Sequence, residues 1–139
     1  MKHKTYHLDR EERIRLVQHL VENLKTHNEV IFAYLFGSFV EDLPFHDIDI
    51  GVYLSIIREE ESTFFGLDLS QTLSIRLKIP VDVRVLNFAS IPFLYHVIRG
   101  NLILERDEEI RLNFVERITA RYLDLKPLLL KGTKEAFGR

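Results

Sequence analysis

Five residues in this 139-residue chain are best placed to do chemistry: Gly37, Ser38, Asp47, Asp49 and Asp82. Asp47 and Asp49 stand two apart in an alternating segment. On a strand such residues point the same way, with Cα atoms about 6–7 Å apart. Both carboxylates can then converge on a pair of metal ions about 3.5–4 Å apart. Hard oxygen ligands suit Mg²⁺, which keeps waters and takes its remaining ligands from substrate phosphates. Asp82 interrupts an otherwise apolar strand between Val81 and Val83. Buried without a partner it would be costly. If its strand neighbours that of Asp47 and Asp49, the three form one cluster. Three close carboxylates raise one another's pKa values unless a cation sits among them.

Gly37 and Ser38 end the apolar run Val30 to Phe36. Glycine allows a sharp turn and a close approach of ligand to backbone. Ser38 is placed to cap the segment Phe39 to Leu43, if that segment is helical. Free amides at a helix start, beside a hydroxyl, make a phosphate cradle.

Taken singly, each signal has a plainer reading. Gly-Ser after a strand serves as a turn. Asp47 and Asp49 fit the solvated face of a half-exposed strand, and Asp82 can pair with Arg84. In order, and on the expected elements, they read as a catalytic type of site.

The elements that must position them alternate helix and strand. Asp9 and Glu12 form a capping box for a helix from about Arg10 to Lys25, with Ile14, Val17, Leu20, Val21 and Leu24 as its stripe. Val30 to Phe36 is a strand buried on both faces. Asp47 to Leu54 alternates, with the aspartates, Gly51 and Tyr53 on one face and Ile48, Ile50, Val52 and Leu54 on the other. Gly51 leaves space beside the carboxylates. Glu59 to Lys78 is a helix carrying Phe65, Leu69, Leu73 and Leu77, with Phe64 and Phe65 assigned to its stripe; Pro80 marks its end. Val81 to Leu86 is a strand, and Ser90 to Ile98 a short helix with Pro92 in its first turn. Leu102 to Leu104 is an edge strand. Asp107 caps a last helix with Ile110, Phe114, Ile118, Tyr122 and Leu125 inward, and Pro127 is expected to stop it. These elements predict an α/β (α+β) domain spanning 1–139, a small mixed sheet with helices packed mainly on one face. Residues 1–8 and 131–139 are its expected loose ends.

Composition narrows the field. Apolar residues make up 46% and charged residues 29%. A net charge of −2 and a pI near 6.3 argue against a broad basic surface, so direct nucleic-acid binding is not expected. There is no cysteine, which excludes disulfides and thiolate metal sites and fits a reducing cytoplasm. No apolar run is long enough to span a bilayer.

The Gly-Ser, Asp-x-Asp and later Asp pattern resembles the DNA polymerase β nucleotidyltransferase superfamily. The small size and the ending Arg121-Tyr122-Leu123-Asp124-Leu125-Lys126-Pro127 resemble, more narrowly, the MNT antitoxins encoded with HEPN ribonuclease toxins. The resemblance implies a polymerase-β-like fold in which Gly37 and Ser38 hold the triphosphate of ATP. It implies that Asp47 and Asp49 bind two Mg²⁺ ions, and that Asp82 binds the catalytic one and helps deprotonate the acceptor. It further implies transfer of AMP to a tyrosine of the partner toxin, which is thereby neutralised. The spacer from Phe39 to His46 is eight residues, shorter than is common in the superfamily. Two other readings are a non-catalytic antitoxin that works by occlusion and a nucleotidyltransferase acting on a small hydroxylated molecule. The second would call for an acceptor domain for which 139 residues leave little room.

His46 abuts Asp47 and reads as incidental. Tyr34, Tyr53 and Tyr95 read as core or rim packing before base stacking. Arg99 and Arg106 read as solvated. Arg117, Arg121 and Lys126 are an exposed face or a docking surface for a partner.

Overall fold

The computed structural model describes residues 4–41 and 44–136, with side chains described through residue 132. Its elements are α1 (Arg10–Lys25), β1 (Val30–Phe36), β2 (Ile48–Leu54), α2 (Glu59–Leu77), β3 (Val81–Val85), α3 (Ile91–Ile98), β4 (Asn101–Glu105) and α4 (Glu108–Ala136). The four strands form one sheet in the order β3-β2-β1-β4. β1 runs antiparallel to β2 and to β4, and β2 runs parallel to β3. The sheet is therefore mixed. Its one parallel pair is joined by α2, since parallel strands need a crossover.

Alternation along the strands sends side chains to two cores. Ala33 and Leu35 of β1, with Ile48, Ile50, Val52 and Leu54 of β2 and Val81 and Val83 of β3, meet α1 and α2. Phe32, Tyr34 and Phe36 of β1 face the other way, onto Leu94 and Val97 of α3 and Phe114 and Ile118 of α4. Two helices thus lie on each face. The expectation of helices mainly on one face describes the larger core, but the aromatic side of β1 also needs cover, and α3 and α4 supply it.

Local signals act as expected at α1 and α4. Asp9 Oδ1 accepts the Glu12 amide at 2.8 Å, and Glu12 Oε1 accepts the Asp9 amide at 3.1 Å. Leu16, Leu20 and Leu24 are the buried line of α1, while Ile14 is 49% exposed; the stripe lies to one side of the one expected. Asp107 Oδ1 accepts the Ile110 amide at 3.0 Å. Pro127 does not end α4, which runs to Ala136. The ring only deprives the Leu123 carbonyl of its backbone donor. At the other terminus Tyr6 exchanges backbone hydrogen bonds of 2.8 and 3.3 Å with Phe45. Of the expected loose ends, 1–3 and 137–139 lie outside the described residues. No helix among the described residues is long and apolar enough to cross a membrane.

The outer edge of β3 is tied to α2. Ser74 Oγ accepts the Val81 amide at 2.8 Å and Ser70 Oγ accepts the Val83 amide at 2.7 Å. These two bonds hold the backbone on either side of Asp82. Past the end of β3, the Asn87 side-chain amide bonds both the N–H and the C=O of Leu54, the last residue of β2, at 2.9 and 2.8 Å.

Candidate active site

The acidic residues gather on the α3 side of the sheet. Asp49 and Asp82 are direct partners across the parallel β2–β3 pair. Phe36 of β1 is opposite Asp49 on the other flank, and Gly37 follows it. Gly37 has φ +80°, a left-handed turn that glycine adopts without strain. It also sits so close that a Cβ there would overlap Asp49 Oδ2. The bend, Asp49 and Asp82 therefore form a row across three adjacent strands, each about 4.8 Å from the next. Asp47 lies one residue before β2, on the same side as Asp49.

This concentration of negative charge is felt most at Asp49. Its carboxyl is pushed up from 3.8 to about 6, first by burial, then by the charge of Asp47, then by that of Asp82; Arg84 pulls the other way. A part-buried carboxylate flanked by two others is the donor chemistry a hard divalent cation suits. The side chains do not yet close into a cage. Among the described residues, no three acidic or histidine side chains stand at metal-binding spacing. Asp82 is turned onto Arg84, with Oδ2 accepting from Nε at 3.3 Å. The pairing weighed for these two residues in the sequence is thus present. Asp47, Asp49 and Asp82 share a face, and Asp82 is held aside by an exposed ion pair.

Gly37 and Ser38 open a turn. The Val40 amide donates to the Gly37 carbonyl at 3.1 Å and the Glu41 amide to that of Ser38 at 3.2 Å. No helix is present over 39–41, and Asp42 and Leu43 lie outside the described residues. The turn uses the amides of Val40 and Glu41 and not those of Ser38 and Phe39. Beside it is a cleft of about 320 Å³, lined by Phe36, Gly37, Val40, Glu41, His96, Arg99 and Gly100. A larger cleft, about 550 Å³, opens on the Asp82 side between α2, β3 and α3.

The space beside Gly51 is not free. A Cβ there would come within 2.8 Å of Leu86 and 2.9 Å of Val97, so this glycine lets α3 pack down on the carboxylate face. His96 and Arg99 reach the Gly37 cleft from that helix. Sequence alone does not single out His96, and it reads Arg99 as solvated. The available signal is their spacing, three residues apart on a helix that crosses the strand of Gly51. Arg99 is exposed, as the sequence reads it. Arg106 is exposed too, and it also donates to the carbonyls of Lys25, His27 and Val30 at 2.6–3.0 Å. His46 contacts the Lys4 carbonyl at 3.0 Å. Tyr34 is buried and accepts from Arg111 at 3.2 Å. Tyr53 stacks on Phe32 at 5.0 Å and Tyr95 on Tyr122 at 3.8 Å. All three tyrosines take packing roles. Phe64 departs from the stripe and is 74% exposed.

Residues 18–109 match the family described as polymerase beta, nucleotidyltransferase, a span that contains the bend and all three aspartates. The chain belongs to that family. No curated protein matches it. Among solved structures it is similar to a chain of the tri-AMPylated Shewanella oneidensis HEPN toxin in complex with MNT antitoxin, with TM-score 0.73 and 19% identity over 90% of this chain and 98% of that one. It is similar also to a chain of the toxin–antitoxin MntA-HepT, with TM-score 0.71 and 19% identity over 89% and 98%. A toxin–antitoxin structure with AMP-PNP gives TM-score 0.69 and 20% identity over 94% and 99%. At these identities the likeness is one of fold.

Proposed function

We propose that this nucleotidyltransferase is an MNT-type antitoxin that transfers AMP from ATP to a tyrosine of a partner HEPN toxin and so silences it. The observation that carries the reading is the row Gly37, Asp49, Asp82 across β1, β2 and β3, inside the family match. Support for the partner and the reaction comes from the fold neighbours, one with a tri-AMPylated toxin and one with AMP-PNP. Such a reaction belongs in the cytoplasm, where ATP and Mg²⁺ are supplied.

Asp47 and Asp49 would hold two Mg²⁺ ions, with Asp82 joining once released from Arg84. When bound, the ions supply counter-charge at the α-phosphate and align nucleophile and leaving group. The chain's own residues do the rest. The Gly37 bend lets phosphate approach the backbone, and the Ser38 hydroxyl donates to a phosphate oxygen. Asp82 accepts the acceptor's proton. Arg99 places positive charge along the cleft beside Gly37, and His96 lines it as well.

Purified protein incubated with its toxin, ATP and Mg²⁺ should add increments of about 329 Da, one AMP each, to the toxin. An unchanged toxin mass would refute the reading. Asp47→Ala with Asp49→Ala should abolish transfer in a protein that still folds. The Asp82–Arg84 ion pair favours a second reading, a site retired to occlusion alone. Neutralisation of the toxin by the double alanine variant at equal dose would establish it.

A further inference from the structure

Two clefts flank the acidic row, and they are unequal. The smaller adjoins Gly37 at the β1 end. The larger lies beyond β3, lined by Asp82 and Arg84 from the strand, Ser62, Thr63 and Leu67 from α2, and Phe93 from α3. Displacement at phosphorus puts the attacking and leaving oxygens roughly in line. If the triphosphate lies at the Gly37–Ser38 bend, pyrophosphate departs at the β1 end of the row. The nucleophile must then arrive from the opposite end, past Asp82, where the larger cleft opens.

The lining suits an aromatic acceptor carried on a protein. Leu67 and Phe93 offer apolar walls, with Ser62 and Thr63 as polar edges. Arg84 lies over the Phe93 ring, 5.6 Å from its centroid. The apolar surface continues from Leu67, 65% exposed at the cleft, to Phe64, 74% exposed one turn back on the same side of α2. A small hydroxylated substrate would have no use for that rim, whereas a protein segment would cover it.

We propose that the cleft between α2, the outer edge of β3 and α3 is the acceptor subsite, which takes the tyrosine-bearing segment of the partner protein between Leu67 and Phe93. The assignment rests on the AMP-transfer reading. In the step it serves, the phenol oxygen forms a bond to the α-phosphorus. The bond from that phosphorus to the bridging oxygen breaks, and pyrophosphate leaves with the electron pair. The phenol proton passes to the Asp82 carboxylate and on to solvent.

The test is kinetic, on the full chain with intact partner toxin. Leu67→Asp, an exposed change that leaves the core alone, should raise the apparent KM for the toxin at least tenfold. It should leave the KM for ATP and the Mg²⁺-dependent binding of a fluorescent ATP analogue unchanged. Ile75→Asp, on the same helix, at a position 69% exposed and outside the cleft, should leave both KM values unchanged. Wild-type transfer with unaltered toxin kinetics in Leu67→Asp would overturn the subsite and spare the reaction. An equal loss in both variants would replace the subsite with a general docking face on α2. Wild-type protein that binds nucleotide yet labels no partner would overturn the reaction and the subsite together.

Discussion

Asp49 carries a part-buried charge beside two other carboxylates before any cation arrives, and Asp49→Asn should expose the cost of that charge as a gain in stability. Asp49 is raised from 3.8 to about 6 in the folded chain. A carboxyl that holds its proton more tightly when folded favours folding at low pH. Stability from this group is therefore greatest below about 4, the unfolded value, declines as pH rises to about 6, and stays low above it. Taken whole, the displacement would be worth about 3 kcal/mol; solvent screening of a part-exposed group cuts that to about 1 kcal/mol. For a chain of this size, 1 kcal/mol is about 3–4 °C in Tm.

Thermal melts of wild type and Asp49→Asn, in metal-free buffer from pH 4 to pH 8, are the assay. At pH 7.5 the variant should melt about 3–4 °C higher. The gap should close as the pH falls through 6 towards 4, because protonated Asp49 and the asparagine that replaces it are then alike in charge. Millimolar Mg²⁺ should raise the wild-type Tm at pH 7.5 and do much less for the variant. A variant that melts lower than wild type at pH 7.5, or a gap that does not depend on pH, would refute the claim that a part-buried, uncompensated negative charge sets the energetics of this face.

Gly37→Ala should cost about 1–2 kcal/mol from the left-handed backbone alone, and more from the overlap with Asp49 Oδ2. It should lower the urea midpoint and weaken ATP binding together. Ser70→Ala with Ser74→Ala strips the Val83 and Val81 amides of their acceptors, at about 1–2 kcal/mol each. Amide exchange should quicken along β3 while α1 and β4 keep their protection.

Sequence legibility followed the physics of each segment. β2 was readable because its alternation is strict, and strict alternation assigns Asp49 to one face and Ile48 and Ile50 to the core without further information. The capping box at Asp9 and Glu12 was readable because both partners sit three residues apart. β1 showed only that both its faces are covered. It does not say by what, so the sequence shows α3 and α4 as helices without showing that they cover this second face. Gly51 showed that something needed room, and whether ligand or helix took it depended on α3, far along the chain. Pro127 signals a local break that the surrounding turns override. His96 and Arg99 carry no motif at all, and they matter only because α3 lies across the carboxylate strands.

That packing explains why so small a domain can host this site. One face of the sheet is spent on a large core of α1 and α2, which anchors β2 and β3 through residues 48, 50, 81 and 83. The other faces of those same strands carry Asp49 and Asp82. The core contacts therefore fix the register that sets the carboxylates side by side, since slipping either strand by one residue would turn aspartate inward and isoleucine or valine outward. The serine bonds from α2 and the asparagine bonds to Leu54 hold that register at both ends of β3. The charge that makes Asp49 uneasy is thus confined by hydrophobic burial on the opposite face. A divalent cation arriving at the acidic row would relieve a repulsion the fold already holds in place, and would not have to organise the strands.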